Sequence, residues 1–394
     1  MDLQCSLIQG SVDITDILQK YDSVLKQRSY YHLGYPYNLD YDYTILQSLV
    51  NYSINNLGDP FIESNYGVHS RPFEIAILDW FAELWEIPTN TYWGYVTSCG
   101  TEGNLYGVWL GREHVTKNNS SKPLLIASEE THYSAWKAAR MFQLDVKMIP
   151  TNTMGEINIE KFTTTIVDAK IANQPLVIIG NVGTTIKGAF DDIQGMVKCL
   201  KQAGYTTTDF YIHLDGALSG TILPFLKGDS LAKSALSFRN DEIGSISASG
   251  HKFIGSPIPC GILITRKTYL DNLSVDISYI ASKDSTILGS RNGHAPLYLW
   301  YSIAKKGKHG LLLEITECLE NAKYLFDCLN EKKIPNLLMN NNSSTVVFQK
   351  PSNQAFIYKW QLACHNDLCH VVVMPNITKT KIDEFLHDLL VNGY

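Results

Sequence analysis

Short apolar runs alternate with helical stretches from Tyr92 to Thr265, and that alternation admits few folds. Tyr92-Trp-Gly-Tyr-Val-Thr97 reads as a strand, followed by a glycine-bearing turn and a helix over Leu105 to Arg112. Leu124-Leu-Ile-Ala127 precedes a helix from Ser134 to Phe142, and Asp145 to Ile149 and Leu176-Val-Ile-Ile-Gly180 read as further strands. A helix over Ile193 to Ala203 leads to the strand Phe210 to Leu214. The run Ser245 to Ser249 is followed closely by Gly261-Ile-Leu-Ile-Thr265. Strands this apolar, alternating with helices, predict an α/β fold: a mostly parallel sheet covered by helices on both faces. With 394 residues, 45% of them hydrophobic, the chain can bury such a sheet and a second unit beside it.

The flanks read differently. Residues 1–75 are rich in tyrosine and asparagine. Asp13 to Gln27 has helical spacing of apolar residues, and Tyr30-Tyr-His-Leu-Gly-Tyr-Pro-Tyr37 is an irregular loop. A segment this small cannot make its own core, so it either packs on another subunit or a pocket, or simply covers the core. Residues 72–88 are strongly helical. Beyond about residue 295 come a long helical region (Leu297 to Leu329), the strand Ser344 to Phe348, a helix Phe356 to Ala363, the strand His370 to Met374 and a helix Thr380 to Val391. The expected organisation is an arm over 1–75, a large α/β domain over 76–295 and a small α+β domain over 296–394.

A net charge of −6 without a polybasic block argues against nucleic acid or an anionic membrane as partner. No run reaches the ~18 apolar residues of a spanning helix. The start, Met1-Asp-Leu-Gln-Cys-Ser6, does not read as a signal peptide. Eight scattered cysteines do not form a disulfide framework and suit a reducing, cytoplasmic compartment, where a sequon such as Asn118-Asn-Ser120 is only loop composition. Cys364-His365 and Cys369-His370 suggest zinc at first sight. No second pair stands at metal-ligand spacing, and Cys369 to Met374 reads as a buried strand, so no metal is expected.

The chemistry concentrates at three places. Ser245-Ile-Ser-Ala-Ser-Gly-His-Lys-Phe-Ile-Gly255 carries Lys252 between small apolar neighbours, which is unusual for a surface lysine. A buried lysine has a lowered pKa and can form an imine with an aldehyde cofactor. Phe210-Tyr-Ile-His-Leu-Asp-Gly-Ala-Leu218 ends an apolar strand with Asp215, a carboxylate that needs a partner if it stays charged. Gly100-Thr-Glu-Gly103, between a strand and a helix, offers backbone N–H groups and a helix N-terminus to a phosphate. Lysine, aspartate and anion turn are the parts that hold pyridoxal 5'-phosphate, with Asp215 pairing the pyridinium nitrogen. Gly100, Thr101, Glu102 and Ala217 belong to this set, and Ser247, Ser249 and His251 are further candidates for the phosphate. His132, after a strand end, could lie over a pyridine ring or be an ordinary structural histidine. Thr184 offers a hydroxyl to the cofactor ring. Ser290, in Gly-Ser-Arg-Asn-Gly-His, is either a phosphate contact made from a partner subunit or part of a plain turn.

Taken together, Thr-Glu-Gly-Asn at 101–104, Thr-His-Tyr-Ser at 131–134, Asn-Val-Gly-Thr-Thr at 181–185, His-Leu-Asp-Gly-Ala at 213–217, Ser-Gly-His-Lys at 249–252 and Gly-Ser-Arg-Asn-Gly-His at 289–294 resemble the pyridoxal-phosphate-dependent group II amino-acid decarboxylases. The resemblance runs from about Tyr35 to the C-terminus. It is greatest in the branch of histidine decarboxylases and plant serine decarboxylases. The long N-terminal extension of the latter is largely missing. Gly216 to Phe225 and Ile254 to Gly261 look like histidine decarboxylase, whereas Asn55 to Ile62 and Val371 to Pro375 look plant-like, so the overall likeness is to a plant histidine decarboxylase.

The resemblance implies the type I aminotransferase-like fold and a homodimer with active sites at the interface. It implies Lys252 as the imine-forming lysine, Asp215 on the ring nitrogen, and His132 stacked on the ring and meeting the substrate. Tyr279 falls where the family carries the tyrosine that returns a proton to the substrate carbon. The implied reaction is decarboxylation of L-histidine to histamine, with L-serine to ethanolamine as the alternative. An aldehyde synthase and a non-catalytic paralogue are weaker rivals: the first is disfavoured by a tyrosine at 279, the second by intact Lys252, Asp215 and His132. The segment around Tyr35 and Tyr37 and the loop Asn55 to Asp59 are the candidates for a substrate-pocket wall.

Overall fold

The computed structural model describes residues 5, 13–117, 119–226, 228, 235–270 and 273–394; Met1 to Gln4, Ser6 and Asn118, read above for a leader and a sequon, lie outside them. Asp13 caps α1 (Ile14–Tyr30) by accepting from the Asp16 amide, and Pro72 in the first turn of α2 (Arg71–Leu84) costs no helix hydrogen bond. Then follow β1 (Tyr92–Thr97), α3 (Gly100–Thr116), β2 (Leu124–Ser128), α4 (Ser134–Met141), β3 (Asp145–Ile149), α5 (Ile159–Ile171), β4 (Leu176–Asn181), α6 (Ile193–Gln202), β5 (Phe210–Asp215), β6 (Ile243–Ser249) and β7 (Gly261–Arg266).

These strands form one sheet in the order β1-β7-β6-β5-β4-β2-β3. Pairings from β6 through β5, β4 and β2 to β3 are parallel, while β7 runs antiparallel to both β6 and β1. The sheet is therefore mostly parallel, as the alternation predicts. Its one reversed strand follows from the short link after β6, which holds a single tight turn and two prolines where a parallel neighbour needs a crossover helix. Successive side chains alternate between faces. Ile178, Ile212 and Ile246 pack with Phe81 of α2, with Trp85 just after it and with α5 and α6; Val177, Ile179 and Tyr211 pack with α3 and α4.

Helix α5 is absent from the sequence reading. Its run Thr163-Thr-Thr-Ile-Val167 is a poor helix former, and Thr163 and Thr164 turn their hydroxyls back onto the carbonyls of Ile159 and Glu160. Asn158 caps it, and burial of Phe162, Ile166 and Ala169 outweighs the propensity. Helix α3 also begins earlier than the sequence suggests, at Gly100 instead of Leu105.

A ribbon of β8 (Val275–Ile277) and β9 (Ser282–Asp284) leads to α7 (His294–Glu331), which is interrupted at Gly307 by non-helical backbone (φ 60°, ψ 179°). A second, antiparallel sheet of β10 (Thr345–Gln349), β11 (Ala363–His365) and β12 (Leu368–Val372), in the order β10-β12-β11, packs with α8 (Gln354–Trp360) and α9 (Lys379–Asn392). Its core holds Leu325, Phe348, Trp360 and Phe385. Cys369 to Met374 is buried, as expected of a strand.

Part of the arm covers the core, as one of the two readings expects. Leu33 is fully buried in the small core, and its carbonyl accepts from the Val372 amide at 2.9 Å. Tyr35 and Tyr37 stay 46% and 38% exposed, and α1 buries no residue.

A buried ion pair ties the arm to the large sheet. Glu74 is fully buried; Arg291 Nη1 donates to its Oε1, which also accepts from the Val96 amide at 2.8 Å, and Asn56 Nδ2 donates to Oε2 at 2.8 Å. Arg291→Ala leaves this carboxylate without its cation, so a loss of about 3–5 kcal/mol is expected in urea unfolding. The pair Glu74→Gln with Arg291→Met removes both charges and is expected to recover much of that loss. A single variant with wild-type stability would count against the ion pair as a structural tie.

Candidate active site

Three C-terminal strand ends and one helix start converge here. Adjacent parallel strands place Asn181 of β4 beside Asp215 of β5, and Asp215 beside Ser247 of β6. Helix α3 starts above them because its glycines allow close approach: a Cβ on Gly103 would lie 2.8 Å from Ser247 Cβ, and one on Gly107 would lie 2.1 Å from His213 Nδ1.

The anion cradle is at the start of α3. The amides of Gly100, Thr101 and Glu102 have no helical acceptor, and they point where the helix dipole is positive. A Cβ on Gly100 would come within 2.5 Å of Ser249 Oγ, so only glycine leaves the space open. Ser249 is buried, its amide is used by the Ala217 carbonyl at 2.9 Å, and its hydroxyl makes no hydrogen bond among the described residues. Free amides, an unengaged hydroxyl and a missing side chain fit a phosphate.

Asp215 is buried, and its two oxygens take two neutral donors: the Ala217 amide at 3.0 Å and Asn104 Nδ2 at 2.6 Å. No side-chain cation forms a salt bridge with it among the described residues. A carboxylate held out of water in this way suits the positive nitrogen of a pyridinium ring.

Lys252 follows β6 in the tight turn His251–Gly255. The arm pins this turn. The Asn38 amide donates to the Lys252 carbonyl at 3.0 Å, Asn38 Nδ2 to the Phe253 carbonyl at 2.9 Å, and the Tyr43 hydroxyl to the Gly255 carbonyl at 2.6 Å. Gly255 sits at φ 87°, which strains any other residue. Burial pushes the Lys252 amine below the usual lysine range, partly opposed by the negative charge of Asp215. The amine makes no hydrogen bond or salt bridge among the described residues, so it is free to act as a nucleophile. The site thus fits pyridoxal phosphate: free amides of Gly100 and Thr101 and the Ser249 hydroxyl suit a phosphate at one end, and the Asp215 carboxylate suits a ring nitrogen at the other.

Other expected contributors have the following surroundings within the chain. Glu102 does not offer its carboxylate: Oε1 accepts from the Tyr95 hydroxyl, and Oε2 from the Ser98 amide and hydroxyl, so only its backbone N–H faces the cradle. A carboxylate there would in any case repel a phosphate. Ser247 donates to Asn104 Oδ1 at 2.8 Å and lies on the Asp215 side. Thr184 Oγ1 accepts from the Ala189 amide and closes its own loop. His251 Nδ1 is taken by the backbone of Cys260, and its ring stands 5.6 Å from that of Tyr37. Ser290 accepts from Asn55 Nδ2 in a separate cavity of about 350 Å³ beside the arm. Tyr279 is 84% exposed on the turn between β8 and β9 and makes no hydrogen bond or ring contact with Lys252, Asp215 or His132.

The sequence reading passed over Asn104, Ser134 and His213. All three stand within the quoted motifs, but nothing local marks such a polar residue as a junction. His132 was picked out: its Nδ1 lies 2.9 Å from Ser134 Oγ, and burial holds its pKa below the usual histidine range.

The profile of the pyridoxal-dependent decarboxylase conserved domain matches residues 27–350. Serine decarboxylase 1 of Oryza sativa subsp. japonica is 49% identical, the match covering 95% of this chain and 75% of that protein. Histidine decarboxylase of Solanum lycopersicum is 46% identical over 95% of this chain and 88% of that protein, and that of Morganella morganii is 40% identical over 93% of each. Among solved structures, L-methionine decarboxylase from Streptomyces sp.590 superposes with a TM-score of 0.89 at 26% identity, covering 98% of this chain and 97% of that one.

Proposed function

The chain belongs to the pyridoxal-dependent decarboxylase family, and from that premise we propose L-histidine as the amino acid that it decarboxylates. Pyridoxal-phosphate-dependent decarboxylation of an amino acid is the activity of this family. When bound, the cofactor supplies an aldehyde for imine formation and a ring that accepts the electron pair released with CO2. Lys252 provides the amine that anchors it and that substrate displaces. Asp215 keeps the ring nitrogen positive. Gly100, Thr101 and Ser249 bind the phosphate, and His132 covers the ring and meets the substrate.

The observation that carries the substrate reading is an aromatic wall beside Lys252. Tyr35 and Tyr37 stack with ring centroids 6.4 Å apart and planes 9° apart, and His32 and His251 flank them. Such a wall suits a flat imidazole, which it can stack on and hydrogen-bond to. L-Serine is the second reading, favoured by the 49% identity to rice serine decarboxylase 1. The test is to incubate the holoenzyme with each amino acid and assay histamine and ethanolamine. Histamine alone supports the first reading, and ethanolamine alone replaces it with the second.

The working form is a homodimer with Tyr279 serving the partner's site as proton donor. Two features support this: the apolar stripe of α1 is open, with Ile14 65% and Leu18 60% exposed, and Tyr279 is 84% exposed without a hydrogen bond or ring contact to Lys252 of its own chain. Among the described residues no helix is long and apolar enough to cross a membrane. The unpaired cysteines fit a cytoplasmic setting.

A further inference from the structure

We propose that Asn104 and Ser134 are positioning residues that hold His132 as the tautomer protonated on Nε2, with its free N–H turned to the ligand side. The inference rests on the reading of Asp215 as an ionised carboxylate and follows from counting protons along one buried chain. An ionised carboxylate only accepts hydrogen bonds, so the Asn104 atom 2.6 Å from Asp215 Oδ2 is its NH2 group. That orients the amide. Its oxygen then faces Ser247 Oγ at 2.8 Å and His213 Nε2 at 3.0 Å, and both must donate. His213 accordingly carries its proton on Nε2, and its Nδ1 accepts from Ser245 Oγ at 2.8 Å. Burial pushes the His213 pKa down to about 4, so this ring is neutral and has one proton to give.

The second N–H of the same amide group reaches Ser134 Oγ at 2.9 Å. Ser134 Oγ also lies 2.9 Å from His132 Nδ1, and because the Ser134 amide donates to that nitrogen, the hydroxyl is the donor of this pair too. The Ser134 amide points at the same nitrogen from 3.3 Å. Two donors on one nitrogen require that it bear a lone pair. A neutral His132 therefore keeps its proton on Nε2, which makes no hydrogen bond among the described residues. Asn104, Ser134 and His213 are all buried, so water does not compete for these bonds. The result is a fixed donor at the site, of the kind that a substrate carboxylate or a carbanion centre needs.

The test uses holoenzyme carrying 15N-labelled histidine and two-bond 1H–15N correlation spectra, with the His132 signals identified by their loss in His132→Gln. The expected wild-type pattern is an unprotonated Nδ1 and a protonated Nε2. Ser134→Ala is expected to move both nitrogens towards the averaged positions of exchanging tautomers, and Asn104→Ala to do the same if it folds. A proton on Nδ1 in the wild-type protein, which needs no variant, overturns the proposal. So does a Ser134→Ala spectrum identical to wild type. Neither outcome touches the decarboxylase reading, because the spectra do not depend on turnover; product assays decide that separately.

Discussion

Replacing Lys252 with alanine is expected to lower turnover by at least about a thousandfold. Among the described residues the side chain supplies the one amine at the end of β6, and burial has already shifted it towards the neutral, nucleophilic form. Two other described lysines, Lys137 and Lys187, are engaged elsewhere, over the Tyr133 ring and with Glu130. The backbone of the turn does not depend on the side chain, because Asn38 and Tyr43 hold carbonyls, so the variant is expected to fold. Borohydride reduction followed by peptide mass spectrometry checks the cause: the cofactor is expected on Lys252 in the wild-type protein and on no lysine in the variant. Turnover within tenfold of wild type would sink the assignment.

Asp215→Asn is expected to cost about a hundred- to a thousandfold in turnover, the range seen when a preorganised electrostatic contact is removed. Two effects combine. The ring nitrogen loses the negative charge that keeps it protonated. The amide also cannot satisfy its neighbours: Ala217 N and Asn104 Nδ2 both donate to residue 215, and asparagine brings two donors of its own. One contact must break, and if it is the one to Asn104, the order reaching His132 through Ser134 is lost as well. The measurement is turnover together with cofactor affinity by fluorescence titration. Weaker cofactor binding with a large fall in turnover supports the role, whereas wild-type turnover would place the ring nitrogen elsewhere.

Much of this was legible because it is local. A strand is recognised by its own run of apolar residues, and the parallel sheet by their spacing. Lys252 and Asp215 stand out because a charged residue in an apolar run is anomalous wherever the run ends up. The boundaries of α2, β1 and β5 differ from the sequence reading by only a few residues for the same reason. Helix α5 was not legible, since its propensity argues against it and its stability comes from Phe162 and Ile166 packing on a distant core. The partners of the Glu102 carboxylate were not legible either, since Tyr95 and Ser98 reach it only once β1 and α3 are packed together.

The sequence by itself determined the α/β class and, through its motifs, the family, and it singled out the lysine, the aspartate and the glycine turn that we propose for the cofactor. Only the tertiary structure decided which polar groups meet. It brought Asn38 from the arm onto the lysine turn, set Arg291 against Glu74, and made Asn104 the junction of Asp215, His213, Ser247 and Ser134. The physical reason is range. Apolar periodicity is a property of neighbouring residues and survives in the one-dimensional chain. A hydrogen-bond partner is a property of two segments brought together by burial, and nothing in either segment alone records the other.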